Sequence, residues 1–551
     1  MNSKILFHVL GTSQKDYILR FALPLMAMGI LFPLLIIILA PDLVTGNIKT
    51  VVYLIPLALL FVVLFYPYSV YQNKKLQIDQ NMHYYITHMG VLSTSQMSRK
   101  ELFKRLSEND AYGYLAEETG KIYMLMDDWG LSLSRSCRFI ARRTPSELFA
   151  DFLDRFAHAV DAGEEIEDFL RTEQKVVMND FDTMYKSALH SIDLIKETFT
   201  SMIMALIFLS SFAIIMPILT GLDATMLMVG AILLFAGTEA LLVYFAKLKV
   251  PQDRIWHTLD IVTKADKKIK ISFPISILAC MIVSIPVIFL LDFPITISLS
   301  IILTPLVFTG QVASREENRI KRKDSNFASF IRSLGSSAGA RGGLINDSLR
   351  QLTYHDFGPL TNDVTELYKR ISSRVDKMKS WNYFAAGTGS NLIERFGTIF
   401  AEGTHIGGKP EVIGKIISDN FMHIVSLRRL RYDSSSSLVG ILYGLTAGVA
   451  FTMFLSLSIV EVLNNIFVDA AIPEGMDVGL YFGAGGTDVA LLTTLLMGMM
   501  VLHSLLSSLL IRVVDGGHFF NIYTHFVGLM WVSSICAEVA LSSVAPILGI
   551  G

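Results

Sequence analysis

The sequence predicts an all-α, polytopic membrane protein with about nine transmembrane helices and two duplicated cytoplasmic helical-bundle domains, counting spans at about 20 apolar residues each. Three observations lead there. Of the 551 residues, 52% are hydrophobic and 17% charged, against about 25% charged in soluble chains. Apolar stretches of spanning length recur along the chain. An unusual phrase also occurs twice, as ITHMGVLSTSQMSRKELFKRL (86–106) and IRSLGSSAGARGGLINDSLRQL (331–352), with Gly90 and Gly335 lying 245 positions apart.

In chain order, 1–72 holds an N-terminal segment and two spans, 19–40 and 51–71. The first apolar stretch is long enough to span and has no small-residue cleavage site, so it is expected to be a retained anchor. A first cytoplasmic helical domain covers 73–198, and a transmembrane pair (199–220 and 225–246) fills 199–247. The basic loop 248–271 leads to a second pair, 272–291 and 293–314, and a second helical domain covers 315–437. Three spans, 438–463, 490–511 and 521–545, complete 438–551. Retained loops carry the excess of Lys and Arg, which puts the N-terminus, both large domains and the 248–271 loop inside. The longest loop on the opposite side, 464–489, holds four acids and no Lys or Arg, and only Lys49 is basic among the outside loops.

The repeat extends beyond its first phrase. YGYLAEETGKIY (112–123) matches FGPLTNDVTELY (357–368) at a spacing of 245, and DRFAHAVDAG (154–163) matches ERFGTIFAEG (394–403) at 240. The flanking spans keep step, so the unit is two spans, a domain and two spans, repeated in parallel with one span added. Inside the first domain Ile78, Met82, Tyr85, Ile86 and Met89 recur at helical spacing. Ser98 and Glu101 predict a capping box, and Thr144-Pro145-Ser146-Glu147 repeats that logic with Pro at the first helical position. No run alternates strictly enough to suggest a strand.

Motifs with chemical meaning are few. GTHIGGKP (403–410) approaches the phosphate loop G-x-x-x-x-G-K-[ST], but Pro410 replaces the hydroxyl residue that would hold magnesium, and the flanking apolar spacing is helical. A helix end followed by a Pro-started helix fits better. GSSAG (335–339) fits G-x-S-x-G without the strand that a nucleophile elbow needs; small residues joining two helices are expected instead. Asp515, His518 and His525 are too loosely spaced for a metal site, and RVVDGGH (512–518) reads as a turn made by two glycines. The three cysteines, Cys137, Cys280 and Cys536, form no ligand or disulfide pattern. Catalytic, cofactor-binding and metal residues are therefore expected to be absent. Ionisable residues within spans are functional candidates because burying them in hydrocarbon is costly; Glu239 and Glu538 are the deepest, with Glu461 and His503 nearer an interface or a neighbouring helix.

Charge divides the domains. Segment 73–198 has 16 Lys/Arg against 21 Asp/Glu, whereas 315–437 has 19 against 13. In the second, Arg315, Arg319, Lys321, Arg322 and Lys323 gather at one membrane edge and Arg428, Arg429 and Arg431 at the other. These eight are candidates for docking an acidic cytosolic partner; attraction to anionic headgroups is the alternative. A net charge of −2 argues against nucleic acid.

This organisation resembles the polytopic platform proteins of type IV filament machines, related to the F component of type II secretion. MHYYITHMGVLSTSQMSRKELFKRL (82–106) and FADFLDRFAHAVDAGEEIEDFL (149–170) look like the two halves of that family's helical domain, and YGYLAEETGKIYMLMDDWGLSLSRSC (112–137) looks like its centre. The number of spans and the terminal VVDGGH turn (513–518) are most similar to the archaeal branch that serves the archaellum. The resemblance implies a scaffold that uses no cofactor and is not an enzyme. A hexameric cytosolic secretion ATPase would push on its cytoplasmic domains, archaellin or pilin subunits would be assembled through it, and it would take part in rotation; a homodimer in the lipid membrane is compatible with that role. The platform of an adhesive pilus or secretion system is the near alternative. A secondary transporter with parallel repeats is the alternative of another class, although Glu239 has no acidic counterpart in the eighth span.

Overall fold

Residues 73–198 and 315–437 fold into the same ordered series of helices, as the duplicated phrases require. In the computed structural model the described residues are 10–28, 30, 47–95, 97–220, 223–250, 253–469 and 489–547. After a short N-terminal helix, the first series runs α1 (Asn47–Ser93), α2 (Arg99–Ser107), a 3-10 turn (Asp110–Tyr112), α3 (Tyr114–Asp127), α4 (Leu133–Ala141), α5 (Glu147–Ala162) and α6 (Ile166–Thr220). α7 (Ala224–Lys249), α8 (Lys264–Phe289) and α9 (Ile295–Leu303) follow. The second series then runs α10 (Leu306–Ala340), α11 (Ile345–Leu352), a 3-10 turn (Gly358–Leu360), α12 (Thr361–Ser372), α13 (Lys377–Thr388), α14 (Asn391–His405) and α15 (Pro410–Asp469). α16 (Val489–Asp515) and α17 (Ile522–Ile547) close the chain. No strand occurs among the described residues; an isolated antiparallel bridge pairs Trp256 with Ser390.

The repeat holds at the level of contacts. Tyr85 meets Tyr112 edge-on, with ring centroids 5.7 Å apart. Their counterparts 245 residues on, Phe330 and Phe357, meet edge-on at 5.4 Å. Ser146 caps α5 by accepting from the Phe149 N–H and donates to Asp79. Ser390 caps α14 by accepting from the Ile393 N–H and donates to Asp324. Gly113 and Gly358 take matching positive φ values of 53° and 59°.

One part of the expected alignment changes. α5 and α14 begin 244 residues apart, at Glu147 and Asn391, so Phe152 and Phe156 correspond to Phe396 and Phe400, all of them buried. Pairing DRF (154–156) with ERF (394–396) at a spacing of 240 is therefore one helical turn out of register. A four-residue slip returns the same face of a helix to the core, which is why the apolar pattern tolerated it. Two capping expectations also shift. Ser98 does accept from the Glu101 N–H, but the Glu101 carboxylate pairs with Arg105 at 3.0 Å rather than reaching back. At α5 the cap is Ser146 and the first helical residue is Glu147, so Pro145 lies outside the helix.

Among the described residues six helices are long and apolar enough to cross a bilayer: α6, α7, α8, α15, α16 and α17. The pair α9 and α10, bent by 45° at Thr304–Pro305, makes a seventh if it counts as one span. These correspond to the third through ninth expected spans. The first, 19–40, lies largely outside the described residues, and the second, 51–71, falls on the first part of α1, where the side chains are described only in part. Small polar side chains join the spans at close range, as they do where lipid supplies no hydrophobic drive. Ser276 and Thr309 hydroxyls lie 2.7 Å apart and those of Ser300 and Ser534 2.6 Å apart. A Cβ on Gly310 would stand 2.6 Å from the Thr524 backbone nitrogen, so α10 and α17 touch through glycine.

The chain divides into two compact units, 1–181 with 399–416 and 182–398 with 417–551. The boundaries at 181/182 and 416/417 fall within α6 and α15, each of which continues without a break from a polar domain into a span, and the one at 398/399 falls within α14.

Candidate functional site

α15 carries an apolar stripe through Ile417, Phe421, Ile424, Leu427, Leu438 and Leu442, all at or below 1% exposure. Arg428 and Arg431 sit on that same stripe, one turn apart, each 3% exposed. A guanidinium placed there must find carboxylates or carbonyls, since an unpaired buried charge is prohibitively costly. It finds both. Arg428 grips Asp253 with two bonds, Nε to Oδ2 at 2.7 Å and Nη2 to Oδ1 at 2.6 Å. Its Nη1 reaches Asp324 Oδ2 at 3.3 Å, and its Nη2 also donates to the Arg254 carbonyl at 2.9 Å. Arg431 donates to the Val514 carbonyl at 2.6 Å and the Val513 carbonyl at 3.2 Å. It thus satisfies orphan carbonyls at the negative end of α16.

The knot continues into the turn between α16 and α17. Glu317, 2% exposed, accepts from the His518 N–H, from Asn521 at 3.2 Å and from the Trp256 indole at 3.4 Å. The paired glycines of VVDGGH are needed for clearance as well as for turning. Gly516 has φ +77°, and a Cβ on it would lie 2.6 Å from Arg431 Nη2; a Cβ on Gly517 would lie 2.7 Å from Glu317 Oε1. The 253–258 loop is stitched to the start of α14 by His257 N–H to the Gly389 carbonyl at 3.0 Å and Asn391 N–H to the Ile255 carbonyl at 2.9 Å. Four parts of one unit therefore converge: the 253–258 loop, α10, α15 and the α16–α17 turn.

Burial sets the electrostatics. It pushes the Asp324 carboxyl up to about 6, although Arg428 and Ser390 both favour its ionised form. Burial likewise raises Glu317, against the stabilising His518 N–H. It lowers His518, with the Arg512 charge adding to the effect. Lys323 is lowered by burial while Asp363, 2.7 Å away, opposes that shift.

These positions correct part of the docking expectation. Arg428, Arg431 and Lys323 are buried and satisfied, so they present no surface to a partner. Lys321 is half-buried, 3.6 Å from Asp515 and over the Tyr432 ring at 3.7 Å. Arg315, Arg319, Arg322 and Arg429 remain exposed. Sequence reasoning missed Asp253, Asp324, Glu317 and Trp256 altogether.

The intramembrane candidates also find partners within the protein. Glu239 on α7, 1% exposed, lies 2.5 Å from His503 Nδ1 on α16, and His503 Nε2 lies 3.0 Å from the Thr446 hydroxyl on α15. The three-helix seam is closed by this chain, and no acidic repeat partner is involved. Glu538, half-buried, accepts from Thr296 at the start of α9, and Glu461 is exposed.

The rejected motifs have structural explanations. GTHIGGKP is the end of α14 and the start of α15: Gly407 has φ +87°, and Pro410 is the first residue of α15. A Cβ on Gly403 would fall 2.3 Å from Val91 Cγ1, so that glycine marks a close helix approach. GSSAG lies inside α10, whose end comes only at Ala340; the joint that was expected there is supplied by 341–344. Among the described residues no group of three or more His, Cys, Asp or Glu could hold a metal ion.

Tandem helical domains run unbroken into spans, and the second is locked there by the Arg428 ion pairs. Residues 85–214 match the family model of Type II secretion system (T2SS), protein F. Over 98% of its length the chain is 37% identical to flagella accessory protein J of Methanocaldococcus jannaschii, 97% of which is covered. Over 96% of its length it is 38% identical to flagella accessory protein J of Methanococcus voltae, again with 96% covered. The chain belongs to the flagella accessory protein J family. No solved structure matches it.

Proposed function

We propose that the protein is the non-catalytic platform through which a hexameric cytosolic secretion ATPase drives assembly of filament subunits and rotation of an archaellum. The observation that carries this reading is the Arg428–Asp253–Asp324 knot. Movement imposed on α10 or α15 outside the membrane would be passed to span ends rather than absorbed by a linker, because breaking a buried pair costs about 3–5 kcal/mol. The many Lys and Arg residues of the two polar domains and the 248–271 loop, set against a 464–489 loop that has four acids and no Lys or Arg, support an inside location for all three. Archaellin or pilin subunits would meet the spans, and two copies could share a filament base.

Docking of an acidic ATPase surface would then fall to exposed arginines away from the bilayer. Arg322 is eight residues past the expected span end and Arg429 nine before the next, each about 12 Å along its helix. Arg322→Glu with Arg429→Glu should reduce copurification of the ATPase in low salt, and cells carrying the pair should lose filaments and swimming. Exposed pairs are each worth about 0.2–1 kcal/mol, so the loss should be severalfold and should fade in high salt. Unchanged ATPase recovery at both salt concentrations, with normal swimming, would defeat this docking site.

A further inference from the structure

A cavity of about 430 Å³ opens between the first turn of α8, the early part of α10, and α12 and α13. That size suits a small ligand or headgroup, within the range of about 300–1,000 Å³ for such sites. Five cations line it, Lys264, Lys268, Arg319, Lys323 and Arg370, against two carboxylates, Glu316 and Asp363. Lys323 and Asp363 satisfy each other at 2.7 Å. Of the other four cations, Lys268 and Arg319 share Glu316, at 4.0 Å and 3.9 Å. The ion-pair partner of Arg370 is Glu366 at 4.0 Å, and Lys264 makes no ion pair among the described residues. The lining is a concave set of under-neutralised cations, with Trp256 and Tyr383 beside them.

Its depth identifies the ligand. Lys268 lies four residues before the expected span at 272, and Arg319 five residues after the one ending at 314, or about 6–8 Å along each helix. The polar headgroup layer adds about 5–8 Å to each side of the hydrocarbon, so the cavity sits at headgroup level, where Trp and Tyr concentrate. We propose that this cavity binds the phosphate of an anionic lipid headgroup, with Lys264, Lys268, Arg319 and Arg370 supplying the charge-assisted bonds. A general inside bias of Lys and Arg accounts for the number of cations. It does not account for a recess that leaves four of them short of partners. The proposal is independent of ATPase docking through Arg322 and Arg429.

The test is native mass spectrometry of the full chain in neutral detergent, titrated with phosphatidylglycerol or phosphatidylcholine. Wild type should retain phosphatidylglycerol selectively. Lys264→Gln with Arg370→Gln should lower that retention roughly thirtyfold, since each cation near a headgroup contributes about fivefold in affinity. Lys267→Gln with Lys270→Gln removes the same charge from exposed positions outside the cavity and should leave retention and the melting temperature unchanged. Equal losses in the two double variants would mean diffuse surface attraction and would overturn the proposal. Saturable binding of inorganic phosphate to lipid-free protein, displaced in the Lys264/Arg370 variant, would assign the cavity to a soluble ligand instead. Unaltered lipid retention together with loss of an acidic protein partner would make it a docking recess, which also refutes the headgroup site.

Discussion

The same contact has two fates in the two polar domains. In both, an aspartate on the long entering helix accepts from the serine that caps the fifth helix of the series: Asp79 from Ser146, and Asp324 from Ser390. In the first domain the arrangement goes little further. Asp79 is half-buried, with Lys75 and Glu147 as the neighbouring charges. In the second, Asp324 is 3% exposed and is tied through Arg428 to Asp253. The position matching Arg428, 244 residues earlier, is Met184. Asp253 belongs to the loop that joins the two repeats, so it can serve only one of them. Duplication supplied two equal hairpins of helices, and the joining loop made one of them the anchored half.

Because of that asymmetry, removing the guanidinium should separate the domains energetically. Arg428→Met makes the second domain resemble the first while stranding the buried Asp324 carboxylate and the half-buried Asp253 carboxylate, at about 3–5 kcal/mol. Asp79→Asn, its nearest analogue in the first domain, should cost about 0.5–1.5 kcal/mol, the net worth of a hydrogen bond. Denaturant titration of the full chain in detergent, followed by circular dichroism, gives both values. Similar costs would mean that the knot anchors nothing. Adding Asp324→Asn to Arg428→Met should recover part of the loss, since one of the two stranded charges is then gone.

A smaller effect is expected from pH. Asp324, faced by Arg428, Asp253 and Ser390, has its folded-state value near 6, above the usual unfolded carboxylate at about 3.9. Its contribution is therefore complete below about pH 4 and is lost as pH rises through about 6, an excursion of about 2–3 kcal/mol. Relative to Asp324→Asn, wild type should lose stability across that interval. The same comparison with Asp79→Asn should run in the same direction, because burial raises Asp79 too, but by less at a half-buried site. An Asp324 profile parallel to that of its Asn variant from pH 4 to 7 would contradict the burial.

Much of this architecture was legible in the sequence, for a physical reason: periodicity and glycine placement are local. Tyr85 and Phe330, or Gly113 and Gly358, perform the same task at a near-constant spacing, and composition alone required spans. Register was less secure, since a slip of one turn keeps Phe156 on the same helix face. The buried arginines were not read because a run such as RRLR looks like surface charge. The available signal was the apolar stripe that passes through Arg428 and Arg431 and skips Arg429. What no local pattern contains is the partner: Asp253 is 175 residues from Arg428 along the chain, in a loop whose Asp looks like any other.

The smallest predicted effect tests what the two domains still share. Gly163 ends α5 at φ +76°, with its N–H directed to the Ala159 and Val160 carbonyls. Gly407, 244 residues on, follows α14 at φ +87°. Neither has an atom within 4 Å of the position a Cβ would take, so substitution meets no packing and only the left-handed backbone matters. Gly163→Ala and Gly407→Ala should each cost about 1 kcal/mol, equal to within about 0.5 kcal/mol, the scatter expected for independent sites. Asn, which tolerates this conformation better, should recover much of the loss at both positions. ATP binding, measured by equilibrium dialysis, should be the same for wild type, Gly407→Ala and Lys409→Ala, because the residues around them terminate one helix and begin another. A cost several times larger at Gly407 than at Gly163, accompanied by lost nucleotide retention, would mean that GTHIGGKP does something its counterpart AVDAGEEI (159–166) does not.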